Sequence, residues 1–127
     1  MMNPELGLVY VVDDDASVRR SIERLAQSMG LEARGFATGL EFLAARREPR
    51  RACVVLDQRL PDMHGLDVQR QLARTDPELP VIVITAHGDE FSRREALAAR
   101  AVAFLAKPFD DNSLREAIWR SLGGKPR

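Results

Sequence analysis

A chain of 127 residues that is 45% hydrophobic and 30% charged has the size and make-up of one folded domain, too small for two comfortable cores and too apolar for a disordered tail. Its 19 Lys and Arg balance its 19 Asp and Glu, which removes the net attraction that direct nucleic-acid binding or an anionic membrane would need, and no apolar run approaches the roughly 18 residues of a membrane span. The one cysteine, Cys53, lies inside an apolar run, which excludes an internal disulfide and a cysteine-rich metal site; Met1 to Glu5 lack the basic start of a secretory signal, so the chain is expected in the cytoplasm.

The first element is a buried-strand candidate, Leu8 to Val12, which runs straight into Asp13, Asp14 and Asp15. Val18, Ile22, Leu25, Ala26 and Met29 then recur at helical spacing up to Gly30, with Asp15 placed to cap the helix. Leu31 to Phe36 is a more polar strand suited to a sheet edge. A second helix follows, with Thr38 and Glu41 in capping-box spacing and an expected inner face of Leu40, Leu43 and Ala44.

Ala52 to Asp57 is a run of uncharged residues closed by a carboxylate and then by a loop holding Pro61, Asp62 and Gly65. It reads as a strand covered on both faces, with Asp57 delivered to its carboxyl end. Gly65 to Thr75 reads as a helix with Leu66, Val68, Leu72 and Ala73 inward. Val81 to Ile84 is the most β-branched run and ends at Thr85. Asp89 to Arg100 is a weakly amphipathic helix, Ala101 to Ala106 a last strand ending at Lys107 and Pro108. The final helix starts near Asp110 to Ser113 and carries Leu114, Ile118 and Leu122, with Ser113 and Glu116 as a second capping pair.

Five strands alternating with five helices require an α/β fold, a doubly wound parallel sheet joined by right-handed crossovers. In such a sheet ligands bind beyond the carboxyl ends of the strands, where Asp13 and Asp14, Asp57, Thr85 and Lys107 should gather. Three converging carboxylates repel one another unless a cation is present, and oxygen ligands open to water suit Mg²⁺, with Mn²⁺ as the alternative. With that charge offset, a carboxylate can attack an activated phosphoryl group, while Lys107 and Thr85 hold its oxygens. Taken singly, these residues have plainer roles: Asp15 as a helix cap, Asp62 as a turn residue, His87 as an ordinary loop side chain. Four such residues at successive productive strand ends point to a site.

Val12 to Asp15, Asp57 with Leu60 to Gly65, Ile84 to Asp89, and Phe104 to Phe109 together resemble the receiver domain of bacterial two-component response regulators, in its FixJ-like subgroup. The resemblance covers roughly Leu8 to Leu122. It implies a five-stranded sheet of order 2-1-3-4-5 and a domain over residues 1–122, with 123–127 as a tail or the start of a linker to an output domain.

By the same resemblance, Asp57 is the phosphoacceptor for a sensor histidine kinase and Asp14 a direct Mg²⁺ ligand. Asp13 would act through water, and the backbone carbonyl of Arg59 would be a further ligand. Thr85 and Lys107 would bind the aspartyl phosphate, Phe104 would be the aromatic switch answering Thr85, and the Lys107–Pro108 bond would be cis. The surface of the fourth helix, last strand and fifth helix would then signal to an output domain, a downstream protein or a second copy of the chain, most naturally to regulate transcription.

Two rival functions are a docking module that never takes phosphate and a Mg²⁺-dependent phosphohydrolase with an aspartyl nucleophile. Such hydrolases usually carry a second acid two residues after the first, where this chain has Arg59, and no turnover of an external substrate is expected. The chain also departs from the family pattern at Arg100, where relatives usually have Gly. A left-handed helix end there costs about 1 kcal/mol or more, so the fourth helix is expected to shift or loosen.

Overall fold

The computed structural model describes residues 7–45 and 47–123; of the expected tail over 123–127, residues 124–127 lie outside them, as does the N-terminal stretch 1–6. Five strands alternate with five helices: β1 Leu8–Val12, α1 Ala16–Ser28, β2 Glu32–Phe36, α2 Gly39–Ala44, β3 Ala52–Asp57, α3 Gly65–Thr75, β4 Val81–Thr85, α4 Glu90–Ala98, β5 Ala101–Ala106 and α5 Asp111–Ser121. All pairings are parallel and the order is β2-β1-β3-β4-β5, which puts the polar strand Glu32–Phe36 at an edge, as its composition required.

The period of two along each strand divides the core between the two faces of the sheet. Val9, Val11, Cys53, Val55, Ile82 and Ile84 pack against Ile22 and Leu25 of α1 and Leu114 and Ile118 of α5. Their neighbours Leu8, Tyr10, Val12, Val54, Leu56 and Val83 pack against Phe42 of α2, Val68 and Leu72 of α3 and Ala96 of α4. Because both faces of β1, β3 and β4 are covered, their apolar runs are continuous rather than alternating. Cys53 is fully buried, and burial pushes its thiol up to about 12, so it is a packing residue.

The helix starts follow capping chemistry, with two corrections. Asp15 accepts from the N–H groups of Ser17 and Val18, and Thr38 accepts from that of Glu41, both as the sequence indicates. In α5, however, Asp110 is the cap and Ser113 donates to it; a carboxylate one turn earlier outcompetes the Ser113 pair for the orphan N–H groups. The inner face of α2 is Gly39 and Phe42 with Leu43 partly covered, while Leu40 is exposed and Ala44 lies outward, because a helix of six residues has only one turn to aim.

The third correction concerns α3, where Ala73 is exposed and Gln69 takes the inner position beside Val68 and Leu72. Its amide donates to the carbonyl oxygens of Ala96 and Ala99 at 3.0 and 3.2 Å, closing the C-terminal end of α4 from outside. Arg100 then takes the left-handed conformation itself, with φ 78°, which is the costly helix end that the departure from Gly implies. Gln69→Leu keeps the volume and removes both bonds; urea unfolding is expected to show a loss of about 1–3 kcal/mol. An unchanged midpoint would mean that α4 closes without Gln69.

Candidate functional site

The strand ends bring the sequence-predicted residues together. Asp57 closes β3 and is 6% exposed; Asp13, just after β1, is fully buried, and Asp14 beside it is exposed. One carboxylate oxygen from each of Asp13, Asp14 and Asp57 lies within 4.8 Å of the others. Lys107 Nζ stands between the two buried acids, donating to Asp13 Oδ2 at 2.9 Å and to Asp57 Oδ2 at 3.4 Å. The other oxygens of the pair accept backbone N–H groups, Asp13 Oδ1 from Asp15 at 2.9 Å and Asp57 Oδ1 from Arg59 at 3.2 Å.

Backbone constraints hold these side chains in place. Thr85 is fully buried; its hydroxyl accepts from the N–H of His87 at 3.0 Å, and its carbonyl accepts from the N–H of Lys107 at 2.7 Å. The Lys107–Pro108 bond is cis. The loop after Asp57 turns back on itself, with the Gly65 N–H donating to Gln58 O at 2.6 Å and that of Leu60 to Met63 O at 3.2 Å. His64 caps α3 through Nδ1, which accepts from the Leu66 N–H at 3.1 Å, a role legible from its position just before the helix.

Asp62 is structural, as its turn setting indicated, but its partners are remote. Its two carboxylate oxygens accept the N–H groups of Gly39 and Leu40 at 3.0 and 2.8 Å, at the start of α2. Those two bonds hold its carboxyl below the usual range against the upward pull of desolvation. Phe104 sits opposite Val83 in the β4–β5 register, partly buried against the core on the α2 to α4 side.

Burial is the main force raising the Asp57 carboxyl, and the charge of Asp13 adds to it; the Arg59 N–H and Lys107 pull the other way and lose. For Lys107, burial alone would lower the ammonium, but its hydrogen bond to Asp13 and the charges of Asp57 and Asp13 outweigh that and raise it. One ammonium therefore faces two buried carboxylates and leaves them under-neutralised, with exposed Asp14 at the mouth. That donor set, all oxygen and reachable by water, fits a hard divalent cation.

A carboxyl group raised on folding contributes stability below its unfolded pKa and loses it as pH climbs through the folded one. Asp57→Asn is accordingly expected to raise the thermal midpoint at neutral pH in chelator, with the gain shrinking in acid and in Mg²⁺. A lower midpoint in chelator at neutral pH would show that Lys107 already satisfies Asp57.

The fold and the acidic rim define a class: a doubly wound α/β protein with a cation-competent carboxylate cluster at the carboxyl ends of its central strands. Residues 9–119 match the family model described as the response regulator receiver domain, and the chain belongs to that family. Nodulation protein W of Bradyrhizobium diazoefficiens is 44% identical over 112 residues, which are 88% of this chain and 49% of that protein. The transcriptional regulatory protein FixJ of Rhizobium meliloti is 38% identical over 113 residues, 89% of this chain and 55% of that one.

Among solved structures, FixJ-N superposes with a TM-score of 0.83 at 35% identity, covering 100% of this chain and 99% of that one. A response regulator receiver protein from Burkholderia phymatum superposes with 0.81 at 43% identity, covering 97% and 98%. The chain spans about half the length of the curated relatives it matches.

Proposed function

We propose that this receiver domain accepts a phosphoryl group on Asp57 from the phosphohistidine of a sensor kinase. The observation that carries the proposal is the cluster of Asp13, Asp14 and Asp57 around Lys107 at the end of β3. An oxygen of Asp57 attacks phosphorus as the phosphorus–nitrogen bond to the donor breaks, and the leaving imidazole keeps that electron pair. Lys107 and the Thr85 hydroxyl hold the phosphoryl oxygens, Lys107 as a point charge and Thr85 as a donor. Asp14, with Asp57, the Arg59 carbonyl and Asp13 through water, would hold Mg²⁺ or Mn²⁺. The bound ion supplies the charge that lets an anionic donor approach this acidic pocket.

Once phosphorylated, Thr85 moves toward the phosphate and Phe104 turns inward, an equilibrium biased only by the contacts that differ between the two states. The change is read on the face formed by α4, β5 and α5, where exposed Phe91, Leu97 and Val102 offer apolar surface to an output domain, a downstream protein or a second copy. The domain covers residues 1–122, residues 123–127 serve as a tail or as the start of a linker to an output domain, and the output is control of transcription in the cytoplasm. No external substrate is turned over beyond the domain's own phosphorylation and slow loss of phosphate.

Incubation with acetyl phosphate and Mg²⁺, read by intact mass, is expected to add one phosphoryl group, which Asp57→Asn or a chelator abolishes. Unchanged mass under conditions that label another receiver would overturn the proposal and leave a docking module in its place.

A further inference from the structure

At the opposite edge from Asp57, the amino ends of β3 and β4 and the end of α5 enclose a cavity of about 820 Å³. Tyr10 lines it and is 1% exposed, yet its hydroxyl has no hydrogen-bond partner among the described residues. Nε of Arg47 and Nε of Arg50, two more lining residues, are likewise buried without a hydrogen bond. One buried acceptor on the lining, Glu48 Oε2, is also without a hydrogen bond, so three unpaired donors face a single unpaired acceptor and the cavity is short of acceptors.

The neighbouring acids do not fill it. Glu48 is taken up by Arg34 at 2.6 Å, and Arg50 by Glu32 at 3.1 Å. Asp76 Oδ2 stands 3.6 Å from Arg47 Nε, beyond hydrogen-bond reach. Arg47 lies over the rings of Phe42 and Tyr10 at 4.0 and 5.1 Å, and its burial lowers its pKa more than Tyr10 and Asp76 raise it. Leu79, Pro49 and Leu122 supply apolar wall, while Asp76 and Glu78, also on the lining, disfavour a multiply charged guest.

We propose that this cavity binds a small organic monoanion, its carboxylate accepting from Arg47 and the Tyr10 hydroxyl and its apolar body resting on Leu79 and Leu122. The volume suits a compact ligand, and the acid group supplies the acceptors that the pocket lacks. This site is independent of the phosphoacceptor chemistry at Asp57 and needs no metal.

Benzoate is the probe, titrated into ¹⁵N-labelled protein in chelator, with benzamide as the neutral counterpart of the same shape. Saturable shifts of the amides of residues 47, 48, 50–52, 79 and 122 are expected with benzoate and not with benzamide. Tyr10→Phe removes one oxygen, and its unchanged strand amides report an intact fold; it is expected to weaken binding about tenfold, as does loss of a hydrogen bond to a charged group. Arg47→Gln is expected to weaken it further. Absence of saturation, equal binding of benzamide, or an affinity unaltered by Tyr10→Phe would overturn the proposal and leave a hydrated cavity.

Discussion

Lys107→Ala is expected to lower the unfolding free energy by about 3–5 kcal/mol in chelator, since removing one partner of a buried ion pair leaves uncompensated charge behind. The loss is large here because the side chain is only 20% exposed and holds two acids, of which Asp13 is fully buried. Mg²⁺ supplies the missing positive charge, so urea unfolding with the ion present is expected to recover part of the difference. Phosphoryl incorporation is expected to fall about 10²-fold even then, because a metal on the acid side does not replace a donor to the phosphoryl oxygens. Equal stability of variant and parent in chelator would mean that Lys107 does not offset the charge of the two acids, and that charge balance would be wrong.

Gly65→Ala is expected to be damaging as well, to a smaller extent and by a different route. A Cβ at this position would lie 2.9 Å from both the Asp57 carbonyl oxygen and the Gln58 Cα, with the Gln58 carbonyl oxygen at 3.2 Å. Every close neighbour is backbone, so no side chain can swing aside, and the loop from Asp57 to His64 must move. Forcing a methyl into a full site costs about 1–3 kcal/mol. The same movement displaces the Arg59 N–H that donates to Asp57, so Mg²⁺ affinity, read by the ion's protection against urea, is expected to drop along with stability. Full Mg²⁺ affinity in a destabilised variant would show the loop to be structural only.

The strands and the cluster at their ends were legible because they rest on local signals. Continuous apolar runs closed by polar residues mark β1, β3 and β4, and parallel topology then carries their last residues to one rim. What was not legible lay across space. Gln69 is a polar residue on an inner helical face, and periodicity assigns such positions outward; only the nearby end of α4 gives its amide two acceptors. Phe42 was missed because α2 is too short for a repeat. Spacing leaves the start of α5 open between Asp110 and Ser113, and the carboxylate of Asp110 is the stronger acceptor. The Arg100 turn was read by its usual cost, and the structure keeps the geometry while accepting the unfavourable residue.

Asp62 grips Gly39 and Leu40 from 23 and 22 residues away in sequence, so the segment downstream of the acceptor aspartate is anchored to the start of α2, the helix that follows the edge strand β2. Any rearrangement of residues 58–64 must therefore break two charge-assisted bonds or drag α2 with it. Events at the rim thus have a mechanical route to the polar edge of the sheet, separate from the one through α4 and β5.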